Sequence, residues 1–242
     1  MNFYNLFLAR LFPANSLDTD LRYRHVVRLL NKNGLKEKDT LLEVGSGPAG
    51  LTRYLKREIT GLDKEFPKET SPFLKPITGS AVKLPFISKS FDHIICLDVI
   101  EHLPRQNRRK AIVEMLRVAK QDVILAMPIG KLAQKQDELL QNQCLETHSE
   151  KGVLAEHLKY GLPSQEEMTQ AILKGAHSCR KKVKIRVYSN TNLHLRKIFM
   201  SLYFSASPFK RKLFWLLLPL VYFWKLFNFG ECYRKIFVIS IL

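Results

Sequence analysis

The stretch LLEVGSGPAG, residues 41–50, reads as a short buried strand running directly into a glycine turn. Residues 40–44 supply the strand. Gly45 permits the sharp turn that follows, and Gly47 removes a side chain so that the backbone can approach a ligand closely. Leu51, Tyr54 and Leu55 then carry the spacing of a helix start. By itself the turn leaves two cofactor classes open. Gly45, Gly47 and Gly50 also fit the dinucleotide-binding fingerprint, and Asp63 stands at a distance that would serve a ribose in either case.

Outward from the turn, strand and helix signals alternate. Upstream, Tyr23, Val26, Val27 and Leu30 form one apolar helix face, which Gly34 would close with a left-handed cap. Downstream, residues 58–63 return as a second strand and residues 75–79 as a third. FDHIICLD, residues 91–98, is a fourth strand whose continuous apolar interior belongs to a sheet covered on both faces. A helix over residues 105–120 turns Ile112, Met115 and Leu116 inward, and DVILAM, residues 122–127, is a fifth strand stopped by Pro128. SQEE, residues 164–167, is a capping box that opens a helix over residues 165–174. KVKIRVY, residues 182–188, alternates as a half-exposed strand, while RKIFVISI, residues 234–241, suits a strand or a terminal tail equally.

This order predicts an α/β protein with a Rossmann-like, doubly wound, mostly parallel sheet, an insertion after the fifth strand and hydrophobic C-terminal helices. Right-handed crossovers would put every strand-to-helix turn on one edge, where such folds bind ligands. The expected divisions are an N-terminal amphipathic helix or lid over residues 1–20 and a cofactor-binding core over 21–130. A polar insertion over the active-site edge follows at 131–163. The rest of the fold spans 164–242 and carries a basic, hydrophobic helical insertion at 191–229.

Four segments decide between the two cofactor classes: LLEVGSGPAGLT (41–52), ITGLD (59–63), GSAVKLPFISKSFDHIICLDVIEHL (79–103) and RRKAIVEMLRVAKQDVILAMP (108–128). Together they resemble class I S-adenosylmethionine-dependent methyltransferases, and the LPF…FD…DVIEHL run is far more specific to that family than glycines alone. The resemblance implies S-adenosylmethionine as cofactor and a role for each matching residue. Glu43 would orient the turn and the cofactor's cationic methionyl end, and Gly45, Ser46 and Gly47 would pack against its methionyl and ribose portions. Asp63 would accept hydrogen bonds from both ribose hydroxyls, since a carboxylate has two acceptor oxygens. Ser80 and Ala81 stand where the family binds adenine, and the Leu97 carbonyl stands where it meets the cofactor's amino group. Two positions depart from the pattern: Ser80 replaces a common aspartate, and Ala49 replaces the third glycine of GxGxG.

Methyl transfer from a sulfonium asks for in-line alignment and exclusion of water. A general base is needed only for a weakly nucleophilic hydroxyl or a protonated amine. His102, just past the fourth strand, is the candidate for that role, with packing of the following turn as its alternative; His148 and His157 are weaker candidates. The four cysteines lie far apart without a CxxC pair, which reads as reduced thiols and no metal site.

The 242 residues suit one well-buried domain with room for an insertion, and 46% hydrophobic against 25% charged residues excludes wholesale disorder. The formal net charge is +17, and its placement is informative. Residues 177–242 hold thirteen Lys or Arg against the single acid Glu231, a net +12. Such a field attracts an anionic surface, either phospholipid headgroups or nucleic acid. The same region contains LFWLLLPLVYFW, residues 213–224, which Pro219 interrupts and which is too short to span a bilayer but suited to its interface. Packing of these helices on the sheet or on a partner is the other reading. The amphipathic N-terminus lacks the features of a secretory signal. The expectation is therefore a cytoplasmic protein, peripheral at the inner face of the membrane, that methylates a lipid, lipid-linked or small-molecule acceptor. An RNA or protein methyltransferase, or a non-catalytic binding protein of the same fold, is the alternative.

Overall fold

A computed structural model describes residues 17–147, 159–203, 205, 207–217 and 228–242. The expected N-terminal lid up to residue 16, His148, His157 and the end of the apolar run with Pro219 lie outside the described residues.

Seven strands form one sheet in the order β3-β2-β1-β4-β5-β7-β6. They are β1 (Leu41–Val44), β2 (Ile59–Asp63), β3 (Leu74–Thr78), β4 (Phe91–Leu97), β5 (Ala119–Pro128), β6 (Val183–Asn192) and β7 (Cys232–Ile241). The first five are parallel, with Val44 beside both Leu62 and Cys96. β7 runs antiparallel between β5 and β6, so RKIFVISI is an inner strand and not a tail. Its side chains Ile236 to Ile239 are fully buried, because both sheet faces are covered there.

Alternation along the strands divides the core into two layers. Leu42, Val44, Ile94, Cys96, Val123 and Leu125 face α2 (Arg105–Val118) and α4 (Gln165–Ser178). Leu41, Ile95, Leu97 and Ile124 face α1 (Leu17–Lys32), which contributes Tyr23, Val26, Leu29 and Leu30. The helix caps follow the sequence reading. Gly34 takes φ +88° at the end of α1, and the Ser164 hydroxyl accepts the Glu167 amide at 3.0 Å to start α4.

The helix expected after the glycine turn is a single 3₁₀ turn, Gly50–Arg53. Only residues 45–58 connect β1 to β2, Pro48 lacks an amide donor, and Gly50 sits at φ +43°. Arg57 then donates to the backbone carbonyls of Lys36, Glu37 and Asp39, which draws the chain into β2 before a helix can lengthen.

Two insertions leave the sheet from its carboxyl edge. α3 (Gly130–Thr147) follows β5. α5 (Leu193–Tyr203) and α6 (Pro208–Leu217) lie between β6 and β7, and the Asn192–Cys232 pair closes the base of that excursion. A buried network joins the two insertions. The Arg196 guanidinium of α5 donates to Gln136 Oε1 at 2.6 Å and to Asp137 Oδ1 at 3.0 Å. It also stacks 3.5 Å from the centre of the Tyr233 ring, whose hydroxyl donates to Asp137 Oδ2 at 2.9 Å.

Candidate active site

The turn after β1 is built on glycines for steric reasons. Gly45 has φ +78°, and a Cβ there would lie 2.1 Å from the Val99 Cγ2 methyl. Gly47, at φ +55°, has open space where a Cβ would stand. Its amide donates to Asp63 Oδ2 at 2.8 Å, and the Lys64 amide donates to Asp63 Oδ1 at 2.7 Å. Two backbone amides therefore fix the carboxylate at the end of β2, with lone pairs left on both oxygens. Ser46 turns inward over β2, where a Cβ on Gly61 would come within 2.4 Å of the Ser46 hydroxyl.

Glu43 supports the turn from beneath. It is fully buried, accepting the Tyr23 hydroxyl at 2.7 Å and the Leu51 amide at 2.6 Å. Burial pushes its carboxyl up to about 7, although both hydrogen bonds pull the other way. Glu43 thus caps the 3₁₀ turn and orients the glycine loop.

A cavity of about 440 Å³ opens above the carboxyl ends of β1, β2 and β4, within the usual range for small-molecule sites. Val44, Leu62, Ala81, Val99 and Leu103 give it apolar walls, and Asp63, Ser80, Asp98 and His102 supply polar groups. Of the residues singled out from sequence, Gly45, Asp63, Ser80, Ala81 and His102 meet on this cavity. Glu43, Ser46 and Leu97 are buried, and Gly47 lies on the turn; none of these four lines the cavity.

The residue after Leu97 reaches the site instead. Asp98 adopts φ +50°, and its carboxylate is held by Arg22 of α1 and by two bonds from Arg234 of β7, at 2.8 and 2.6 Å. Arg234 also donates to Asp18 at 2.8 Å. Burial opposes ionisation of Asp98, but the two guanidiniums outweigh it and hold the carboxyl below its ordinary range. These residues were missed in the sequence reading, where only the aspartate of LDVIEHL was a visible signal.

This cavity fits S-adenosylmethionine. The open glycine turn would hold its methionyl tail, the fixed Asp63 carboxylate its ribose hydroxyls, and the apolar slot beside Ser80 and Ala81 its flat base. When bound, the cofactor supplies a methyl group already activated on a sulfonium. The protein's part is to align the acceptor opposite that group and keep water out.

Comparison with known proteins agrees. The family described as "Methyltransferase domain" matches residues 42–127. No curated protein sequence matches the chain. Among solved structures, the fold is similar to a SAM-dependent methyltransferase from Thermotoga maritima, with 16% identity, 98% of this chain and 94% of that one covered, and a TM-score of 0.53. Magnesium protoporphyrin IX methyltransferase from Synechocystis PCC 6803, solved with bound SAH, is similar at 12% identity, with 99% and 88% covered and a TM-score of 0.52. A Haloferax volcanii methyltransferase in complex with the Trm112 activator is similar at 16% identity, with 98% and 95% covered and a TM-score of 0.54. The family match identifies residues 42–127 as a methyltransferase domain, and the strand order and glycine-turn cavity are those of the class I S-adenosylmethionine-dependent methyltransferase fold.

Proposed function

We propose that this methyltransferase acts on a lipid or lipid-linked acceptor while docked on an anionic membrane face. The observation that carries the reading is the outer surface of α5 and α6. Lys197, Lys210, Arg211 and Lys212 are exposed there among Phe209, Trp215 and Leu216, which are 75%, 40% and 70% exposed. No acidic residue occurs from residue 193 to residue 230. The inner surfaces of the two helices are spent on each other, with the Phe199 and Phe214 rings 6.2 Å apart, so the exposed groups are not needed to hold the pair together. Four basic residues near an anionic bilayer contribute about 4 kcal/mol, at roughly 1 kcal/mol each, and the aromatic side chains add interfacial burial. Among the described residues no helix is long and apolar enough to cross a membrane. Because the excursion leaves the sheet at its carboxyl edge, a docked protein presents the same edge that carries the cavity.

Flotation with anionic vesicles tests the docking, and methyl-labelled S-adenosylmethionine offered to total lipid, RNA and metabolite extracts tests the acceptor. The expected result is co-flotation that K210E/R211E/K212E removes, with label in the lipid fraction. Steeply salt-dependent RNA binding without flotation, and label in RNA, would replace the proposal with a nucleic-acid substrate.

A further inference from the structure

The end of the cavity nearest the sheet edge is poor in free hydrogen-bond acceptors. Gly79, Ser80 and Ala81 form it where the chain leaves β3, with Lys64 beside them just after β2. Among the described residues that line the cavity, only Asp63 and Asp98 are acidic. The Gly47 and Lys64 amides fix Asp63 at the end of β2. Asp98 follows β4, with β1 and β2 standing between that strand and β3, and its carboxylate already takes Arg22 and Arg234. Two nearby backbone carbonyls are engaged as well: that of Asp63 accepts the Gly79 amide at 2.8 Å, and that of Ser80 accepts the Lys83 amide at 3.0 Å. The Ser80 hydroxyl accepts the Val82 amide at 3.4 Å, which leaves its proton to donate. Lys64, on the same wall, carries an ammonium that can only donate.

We infer that this end of the cavity binds the cofactor's adenine without reading its exocyclic amine, and that Ser80 sets this tolerance. Along its edge adenine presents ring nitrogens, which accept, and the 6-amine, which donates. Donors from Ser80 and Lys64 suit the ring nitrogens. The amine finds no free carboxylate among these residues, and the exposure of Ser80 leaves it to water. Leu62, Ala81, Val99 and Leu103 hold the ring faces through buried apolar area, which is indifferent to a substituent on the ring edge. Specificity follows from this difference. A site built to hydrogen-bond a ligand's donor strongly rejects an analogue that lacks it, because its own buried polar group is then left unpaired. A site with no such group has nothing to leave unpaired, so a cofactor altered at the 6-amine is accepted.

Calorimetry tests this with neither methyl transfer nor knowledge of the acceptor. The ligands are S-adenosylhomocysteine and two analogues, one with hydrogen in place of the 6-amine and one with that amine dimethylated. The native protein should bind all three within about threefold. A larger loss with either analogue would overturn the inference, because it would reveal a group that reads the amine. Ser80→Asp introduces a carboxylate at this position and keeps an acceptor for the Val82 amide. Ser80 is exposed, so the variant should keep the native Tm. It should bind the adenine ligand about tenfold more tightly and the amine-free analogue no better than the native protein does. An equal change for both ligands would show that residue 80 does not face the amine, and would equally sink the assignment.

Discussion

Replacing Glu43 by glutamine isolates the cost of burying a carboxyl under the glycine turn. In the folded protein this group sits at about 7, against 4.5 when free. A raised carboxyl means that the folded state keeps its proton where the unfolded chain has lost it. Stability is therefore undiminished below pH 4.5, falls as pH rises through the interval to about 7, and levels off above it. The rise from 4.5 to about 7 corresponds to about 3 kcal/mol, at roughly 1.4 kcal/mol per tenfold change in the proton equilibrium. Glutamine carries no such titration. It can still accept the Leu51 amide, so the turn keeps its cap, with a constant offset from the changed contact to Tyr23. Urea unfolding of both proteins at half-unit steps from pH 4 to about 8.5 measures the difference directly. The native protein should lose about 3 kcal/mol relative to Glu43→Gln across that range. Curves that stay parallel within about 0.5 kcal/mol would refute the reasoning, since Glu43 would then be ionised and well compensated in the fold.

Other residues give further tests. Gly45→Ala must place a methyl group 2.1 Å from Val99 Cγ2 at φ +78°; we expect S-adenosylmethionine binding to disappear in calorimetry and stability to fall by more than about 1 kcal/mol from backbone strain alone. Asp63→Ala removes the carboxylate that Gly47 and Lys64 hold in place, and cofactor affinity should drop at least about tenfold, worth roughly 1.4 kcal/mol. Arg196→Ala leaves Asp137 buried without its cation, which should cost about 3–5 kcal/mol in chemical denaturation. His93 lies between Asp122 and Asp39; burial disfavours its charged form, but the two carboxylates, 3.4 and 3.2 Å from its ring nitrogens, outweigh this and raise it. Its contribution is complete below the unfolded value of 6.5 and is lost as pH rises through the folded one, and His93→Gln should remove that loss from the pH dependence of Tm.

Much of this protein is written locally in its chain. The parallel core was legible because a period-two pattern and its apolar runs depend on neighbours a few residues apart, as in FDHIICLD. Gly45 was legible because a left-handed turn imposes a backbone requirement that few residues meet, and Asp63 because the end of β2 falls at a fixed distance from that turn. The helix expected over Leu51, Tyr54 and Leu55 failed despite good spacing, since Arg57 and its three carbonyl partners set how much chain was left.

The charges belong to the tertiary structure. Asp98 is ionised because Arg234, 136 positions away in sequence, and Arg22 converge on it. Glu101, three residues later, has its carboxyl pushed well above the ordinary range by burial and by the Asp98 charge. Nothing in the run DVIEHL distinguishes the two acids. Likewise Glu43 could be placed under the turn from its position, but its elevated carboxyl follows from burial against Tyr23 and α1. Sequence determined where the glycine turn and the strand ends lie, because both are local. Only the fold decided which carboxyl is pulled below its ordinary range and which is pushed above it, because solvation and long-range partners set the charge of a buried acid.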